Sequence, residues 1–346
     1  MATRLTGPPI LDARKILRLR PKGLYCEAGD FYIDPVRKAP RAVITHGHAD
    51  HARPGHEAVL ATQATIDVMK TRYGQTCAQY MQPLRYGETI RLGDASLSLL
   101  PAGHVLGSAQ ACIEVGASRI IVSGDYKRGR DPTCPPFEPK PCDVFVTEAT
   151  FGLPVFQHPS PELEIGKLLE SLKLFPERAH HVAAYSLGKA QRLLALLRQE
   201  GYDEPVFVDR ATAKLCELYE HHDVKLGQLT TLSAGQITRG RLVIAPPSAR
   251  NLLEDHSERE PITSFASGWM RVQKRARNGG GDLPLIISDH ADWPELTRTI
   301  QEINPAELWI THGEEAALMS WAAARGIQAR PLSIAGYGND ADGHDA

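Results

Sequence analysis

Three histidines and an aspartate fall within one run of six residues, His46-Gly47-His48-Ala49-Asp50-His51. Imidazole nitrogens and carboxylate oxygens are ligands of zinc in proteins. Histidines two positions apart in an extended loop can point the same way and share one ion, and the adjacent Asp50 and His51 then turn towards a second ion. The small Gly47 and Ala49 keep this loop narrow. The run therefore predicts a hydrolytic centre with two metal ions, whereas His56 lies outside the pattern and is expected at the surface or behind the ligands.

Three further candidate ligands occur singly, each directly after a predicted strand: His104, Asp125 and His312. Alone, such a histidine is more often a structural residue, and a Gly-Asp pair more often forms a turn or a helix cap. Together with the run at 46–51, they supply a third nitrogen (His104), a carboxylate that can bridge the ions (Asp125) and a nitrogen that completes the ligand set (His312). The sequence thus predicts that several strand ends meet at one metal centre.

The elements that must position these side chains follow an α/β pattern. Short apolar runs rich in branched residues predict strands at 42–44, 97–100, 113–115, 120–123, 144–147, 182–185, 206–208, 242–245, 285–288 and 308–311. Helical periodicity predicts helices at 61–73, 161–174, 188–200, 211–219, 293–303 and 314–325.

Residues from about 156 to 281 alternate helices and strands but lack the clustered His/Asp motifs, which resume at Asp289. The simplest interpretation is an inserted domain. The run Asn278-Gly279-Gly280-Gly281 is then expected to be a flexible return linker, and the residues after Gly336 a disordered acidic tail.

The composition is that of a globular protein: 346 residues, of which 42% are hydrophobic and 23% charged. Charged residues interrupt the apolar residues of the first segment, so neither a signal peptide nor a membrane span is expected. Six scattered cysteines favour reduced thiols in the cytoplasm. The net charge of −2 gives no global reason for nucleic-acid binding, so such binding must be local. Basic clusters occur at 127–130 and 271–277.

The order of the motifs HxHxDH, GH, GD, TEAT, SDHAD and THGE resembles the β-CASP nucleases, the nucleic-acid-processing branch of the metallo-β-lactamase fold. Within that branch, THGHADHARPGH, PAGHVLGSAQ, VSGDYKR, TEATFGLP, SLGKAQR, SGWM and SDHADWPEL resemble bacterial DNA-ligase-associated exonucleases. The resemblance covers residues 19–337. It implies an α/β fold: an αβ/βα metallo-β-lactamase sandwich from 1–155 and 282–337, an inserted β-CASP domain at 156–281, and a disordered tail at 338–346.

The resemblance also assigns the ligands. It makes His46, His48 and His104 the ligands of one zinc, and gives Asp50, His51 and His312 to the other. Asp125 would bridge the two ions, and Asp50 would also orient the attacking hydroxide or receive its proton. Manganese is an alternative, since imidazole and carboxylate suit several ions.

Two further residues match the family's catalytic motifs, Glu148 in TEAT and His290 in SDHAD. A protonated imidazole near a departing alkoxide lowers the barrier to its departure, and a carboxylate holding that imidazole raises its pKa. A buried structural role for Glu148 is an equal alternative. Asp289 and Asp292 are expected to cap the following helix.

Candidate contacts to substrate phosphate lie in three segments. Ser186, Lys189 and Arg192 surround a predicted helix N-terminus, which offers free backbone amides; an ordinary strand-to-helix junction is the alternative. The other candidates are basic, hydroxyl or aromatic residues beside predicted site elements: Lys127, Arg128, Ser267, Trp269, Arg271 and Lys274. Trp269 could stack a base or simply pack inside the inserted domain.

The function expected from these features is zinc-dependent exonucleolytic cleavage of DNA, single-stranded or with a free end, in DNA repair. Partnership with an ATP-dependent DNA ligase and a helicase is implied only by the family. His312 leaves open a ribonuclease of the ribonuclease J or mRNA 3′-end type, because RNA-processing members carry histidine there. A small-molecule metallohydrolase and a non-catalytic scaffolding subunit are the remaining alternatives.

Overall fold

The computed structural model describes residues 13–233, 239–252 and 260–332. The predicted tail at 338–346 lies outside these residues. Within them the chain forms three β-sheets, with helices on the outer faces.

The first sheet has six strands in the order of the chain. They are β1 (Leu17–Arg20), β2 (Gly23–Cys26), β3 (Phe31–Ile33), β4 (Arg41–Val43), β5 (His56–Ala61) and β6 (Ala78–Pro83). The first three strands are antiparallel to one another, and the pairs from β3 to β6 are parallel. The short helix α1 (Ala13–Ile16) precedes this sheet, and α2 (Gln63–Tyr73) covers its outer face, with Ile66 and Met69 packed on Ile44 and Val59.

The second sheet has seven strands in the order β18-β17-β11-β10-β9-β8-β7. They are β7 (Thr89–Leu92), β8 (Ala95–Pro101), β9 (Ala109–Val115), β10 (Ser118–Val122), β11 (Val144–Ala149), β17 (Glu307–Gly313) and β18 (Gln328–Pro331). Its inner face packs on the first sheet through residues such as Leu97, Ile113 and Trp309. Its outer face is covered by α7 (Trp293–Ile303) and α8 (Glu315–Ala323), which bury Leu296, Ile300 and Leu318. The layers are therefore helix, sheet, sheet, helix, as the αβ/βα prediction requires.

The third sheet lies between positions 180 and 265 and is parallel throughout. Its strands, in the spatial order β14-β13-β15-β12-β16, are β12 (His180–Ala183), β13 (Val206–Val208), β14 (Leu229–Thr231), β15 (Leu242–Ala245) and β16 (Ile262–Phe265). Helices α3 (Pro161–Leu174), α4 (Lys189–Gln199) and α5 (Arg210–His221) accompany it, and their apolar core also includes Val68 and Leu106 of the sandwich region. Two 3₁₀ helices, Pro247–Leu252 and Gly268–Arg271, and α6 (Gln273–Gly279) complete the described elements. The division into a sandwich and an inserted domain at 156–281 stays a prediction.

Two predictions about this region are wrong. Residues 285–288 are not a strand, because Leu285 makes only an isolated bridge to Ala266. The glycine run is not a free linker: Gly279 ends α6, and Gly281 bridges Ser264 with φ +73°. A Cβ on Gly281 would lie 2.5 Å from the Thr263 carbonyl oxygen, so this glycine allows a close backbone approach.

All six cysteines are free. In the described part of the chain, no helix has both the length and the apolar character needed to cross a membrane.

We predict that Leu296→Ala lowers the free energy of unfolding by about 2–5 kcal/mol, because Leu296 is fully buried between α7 and the second sheet. Gln301→Ala on the exposed side of the same helix should change it by less than about 0.5 kcal/mol. Denaturant unfolding of both variants tests this packing, and equal effects would contradict it.

Candidate metal centre and acid–base pair

Strand exits from both sheets of the sandwich converge on one small volume. His46 follows β4, His104 follows β8, and Asp125 follows β10. Ligand atoms of His46, His48, His104 and Asp125 all lie within 4.8 Å of one another. The His48 Nδ1 and His104 Nε2 atoms are 3.0 Å apart, and His46 Nε2 is 3.5 Å from Asp125 Oδ2. The three histidines, which we call the first ligand group, supply the three nitrogens predicted for one ion.

Two of the other predicted ligands, His51 and His312, also approach the Asp125 carboxylate. His51 Nε2 is 3.3 Å from Asp50 Oδ2 and 3.5 Å from Asp125 Oδ2. His312, near the end of β17, places its Nε2 3.2 Å from Asp125 Oδ1. We call Asp50, His51 and His312 the second ligand group. Asp125 faces both groups, which is the position that a bridging ligand needs.

The chemistry of these atoms fits metal ions. His46 Nε2 is buried, points at other ligand atoms and has no hydrogen-bond partner among the described residues. Burial lowers the pKa of His104 to about 3 and holds that of His46 well below its ordinary value, so both rings are neutral, as metal ligands must be. The donor set of imidazoles and carboxylates suits zinc.

A carboxylate that sequence reasoning missed holds the second ligand group. Asp34, directly after β3, accepts a 2.8 Å contact from His51 Nδ1. The same side chain accepts hydrogen bonds from the Thr45 backbone N–H at 2.7 Å and the Thr45 hydroxyl at 2.6 Å. Burial would lower the pKa of His51, but Asp50, Asp125 and Asp34 together raise it well above its usual range. An acceptor on Nδ1 directs the other nitrogen, Nε2, towards the centre.

Glu148 and His290 form a pair beside the first ligand group. Glu148 is fully buried near the end of β11, and its Oε2 lies 2.8 Å from His290 Nδ1. The Tyr126 backbone N–H and the Thr150 hydroxyl donate to the same carboxylate at 2.8 and 2.5 Å. The His290 ring centre is 4.7 Å from that of His104, and 21% of the His290 side chain is exposed. Burial lowers the pKa of His290, but Glu148 outweighs it and raises the pKa to about 9, so this imidazole is a cation at neutral pH.

Comparison with known proteins agrees with this geometry. Residues 285–329, which include His290 and His312, match the model of a Zn-dependent metallo-hydrolase RNA specificity domain. A protein named "Probable DNA ligase" from Opitutus terrae is 27% identical over 89% of this chain and 30% of its own length. "Probable RNase MJ4" from Methanocaldococcus jannaschii is 23% identical over 85% of this chain and 87% of its own length.

The chain therefore has the metallo-β-lactamase/β-CASP α/β fold and is similar to nucleases of that family. It spans less than a third of the length of the first of these relatives. A crystal structure of a protein of unknown function from Enterococcus faecalis shares the fold, with a TM-score of 0.55, 16% identity, and coverage of 85% of this chain and 79% of that one.

Four cations predicted to bind phosphate have partners inside this chain. Lys127 pairs with Glu295 at 2.8 Å, and Arg128 pairs with Glu302 at 2.6 Å. Lys189 pairs with Asp289 at 2.5 Å, and Arg192 lies 3.2 Å from Asp131. All four side chains are at most 8% exposed. Their prediction as open phosphate contacts is therefore corrected: a buried charge requires a nearby opposite charge, and these side chains meet that requirement internally.

The remaining nucleic-acid candidates divide by exposure. Ser186 is buried, and Ser267 caps a 3₁₀ helix by accepting the Trp269 backbone N–H at 3.3 Å. The ring of Trp269 packs 5.0 Å from Phe151 and 5.1 Å from Phe156, and the Arg275 guanidinium covers it at 4.1 Å. This packing agrees with the structural alternative for Trp269. Arg271 and Lys274 are exposed and stay candidates for phosphate contact.

Three secondary expectations have mixed outcomes. Asp292 caps α7, with Glu295 completing a capping box, as predicted. Asp289 does not cap a helix, because its carboxylate is paired with Lys189. His56 is fully buried rather than at the surface, and its Nδ1 accepts the Ala39 backbone N–H at 3.2 Å.

We predict that Asp125→Ala removes both ions, because the Asp125 carboxylate faces both ligand groups. Elemental analysis of the purified protein should show metal content falling from about two ions per chain to near zero. Asp94→Ala, whose side chain is 90% exposed on a turn, is the control and should keep both ions. Full metal content in Asp125→Ala would disprove this ligand scheme.

Asp34→Asn tests the outer carboxylate. We expect it to weaken binding of one ion by about 10- to 100-fold, because His51 loses the charged acceptor that orients its ring. Competition with a zinc chelator measures the affinity, with Asp94→Ala again as the reference. An unchanged affinity would mean that Asp34 serves only the backbone at Thr45.

Proposed function

We propose that this chain is a zinc-dependent exonuclease that hydrolyses phosphodiester bonds in DNA during repair. The observation that carries the proposal is the Glu148–His290 pair beside the two ligand groups. The alkoxide that leaves a phosphodiester is a poor leaving group and needs a proton, which a cationic imidazole beside the metal centre can supply. The 21% exposed face of His290 is open to such a group.

Each residue of the site would have a distinct role in the proposed hydrolysis. The first ligand group would hold one zinc and the second the other, with Asp125 between them. Bound zinc makes water a nucleophile at neutral pH by lowering its pKa from about 15.7 to about 7. Asp50 would orient the nucleophile or accept its proton. His290, kept protonated by Glu148, would donate a proton to the leaving oxygen.

The choice of DNA is supported by the printed name of the Opitutus relative, a probable DNA ligase matched over 89% of this chain. From this likeness we also propose a cytoplasmic role alongside an ATP-dependent DNA ligase and a helicase. RNA is the second candidate, supported by the RNase name of the Methanocaldococcus relative and by the description of the domain matched at 285–329.

Matched end-labelled DNA and RNA strands, incubated with the zinc-loaded or manganese-loaded protein, test the substrate. A ladder of products from one end of the DNA is expected for a DNA exonuclease. Cleavage of RNA alone would overturn the DNA assignment and leave the phosphodiesterase intact. Cleavage of neither strand by protein with full metal content would overturn the proposed function.

We predict that His290→Ala lowers kcat by about 10²- to 10⁴-fold, the range for loss of a general acid. Its metal content should be unchanged, because His290 is not one of the proposed ligands. Glu148→Gln should also lower kcat, because a neutral amide no longer stabilises the His290 imidazolium. His221→Ala, at an exposed position of α5, is the matched histidine control. Steady-state kinetics measure kcat, and elemental analysis measures the metal content. Loss of metal in His290→Ala would identify this residue as a metal ligand instead.

A further inference from the structure

The turn at residues 187–189, between β12 and α4, touches the first ligand group. The Leu187 carbonyl oxygen is 3.3 Å from His48 Nε2. Gly188 has φ +84°, and a Cβ there would lie only 2.3 Å from Val105 Cγ1. The turn therefore approaches the metal-site loop as closely as a glycine permits. A segment of the third-sheet region thus contributes a direct contact to a predicted metal ligand.

Lys189, at the end of this turn, holds a second contact to the same group. Its buried ammonium donates to Asp289 Oδ1 at 2.5 Å and to the Ile287 carbonyl oxygen at 3.3 Å. The backbone carbonyl of Asp289 is in turn 2.9 Å from His104 Nδ1. Lys189 thereby fixes the peptide segment that accepts from His104, and this segment leads directly into His290.

These two carbonyl contacts determine which nitrogen of each ring is free. A ring nitrogen that faces a carbonyl oxygen carries the proton, so the other nitrogen keeps its lone pair. His48 donates through Nε2 and frees Nδ1, whereas His104 donates through Nδ1 and frees Nε2. The two freed atoms are 3.0 Å apart, at the position expected for two ligands of one ion.

The second ligand group takes its orienting contacts from other parts of the chain. His51 faces Asp34 after β3, and His312 Nδ1 lies 2.9 Å from the Thr311 hydroxyl within β17. The turn at 187–189 and the Lys189–Asp289 pair are therefore placed to act on the first group alone.

We propose that Lys189 and Asp289 are positioning residues that set the metal affinity of the first ligand group. The inference rests on the two-ion centre of the proposed function, but it concerns metal binding and needs no substrate. It replaces the expected phosphate contact for Lys189 and the expected helix cap for Asp289. The competing explanation is a buried ion pair that stabilises the fold without affecting the metal.

The test removes both charges at once. Lys189→Met alone leaves the Asp289 charge buried without a partner, which is strongly destabilising. The double variant Lys189→Met/Asp289→Asn avoids this and keeps the Asp289 backbone carbonyl. Zinc affinity is measured by chelator competition, ion content by elemental analysis, and thermal unfolding on the metal-free protein.

We expect the double variant to keep one ion at the normal affinity and to bind the other about 10- to 100-fold more weakly. The matched control is Arg192→Met/Asp131→Asn, a buried ion pair whose arginine lies on the same helix α4, which should keep both affinities. Adding Asp34→Asn to the double variant should weaken the remaining ion as well, since Asp34 supports the other group.

Several results would overturn the proposal. Normal affinity for both ions would leave Lys189 and Asp289 as fold-stabilising residues. Equal weakening of both ions in a variant that still folds would contradict action on the first group alone. If the double variant fails to fold, Lys189→Gln/Asp289→Asn is read in the same way, because it also removes both charges and keeps the carbonyl. Selective loss of one ion in a protein that cleaves neither DNA nor RNA would refute the proposed function and leave this inference standing.

Discussion

The Asp125 carboxylate is buried among four histidines from three separate segments of the chain, and this burial constrains how the two sheets of the sandwich are arranged. Removing a carboxylate from water is expensive unless positive charge compensates it. Burial would raise the pKa of Asp125, but the surrounding imidazoles, His51 foremost, hold it well below its usual range. The chain meets this requirement by ending β4, β8 and β10, and nearly ending β17, at the same edge of the two packed sheets.

Such convergence requires the backbones of the ligand loops to approach one another closely. Gly124, before Asp125, has φ +57°, and a Cβ there would lie 2.7 Å from the Thr45 hydroxyl oxygen. Gly103, before His104, has φ +73°, and a Cβ would lie 2.4 Å from the Lys127 carbonyl oxygen. The glycines of the GH and GD motifs therefore serve the packing of one ligand loop on the next. Gly47 also serves packing, because the atom nearest to a Cβ there would be Val68 Cγ1 of α2, at 2.4 Å.

The sequence could predict the ligand side chains because they occur in a dense local run or directly after apolar strands. It could not predict what orients them. The acceptors for His48 and His104 are backbone carbonyls of Leu187 and Asp289, and a carbonyl is the same at every position of the chain. A sequence shows which residues are charged but not which are buried. It therefore predicts a phosphate contact for Lys189, whereas the side chain pairs with Asp289, 100 positions away. Strand pairing is equally non-local: residues 285–288 have the composition of a strand, whereas the polar β1 has a partner in β2.

The structure also bears on the choice between DNA and RNA. His312 raised the RNA alternative, yet its Nε2 faces Asp125 at 3.2 Å, and its Nδ1 is 2.9 Å from Thr311. Because both nitrogens of the His312 ring have partners within the metal centre, the ring is not available to contact a ribose. A histidine at this position is therefore explained by the metal centre and does not indicate an RNA substrate. The exposed Arg271 and Lys274 would read phosphate, which is common to both nucleic acids. Discrimination requires a group that contacts the sugar, because the 2′-hydroxyl is what distinguishes RNA from DNA at a given site. Neither the ligand set nor Arg271 and Lys274 supply that contact, so selectivity for the sugar must come from residues outside both.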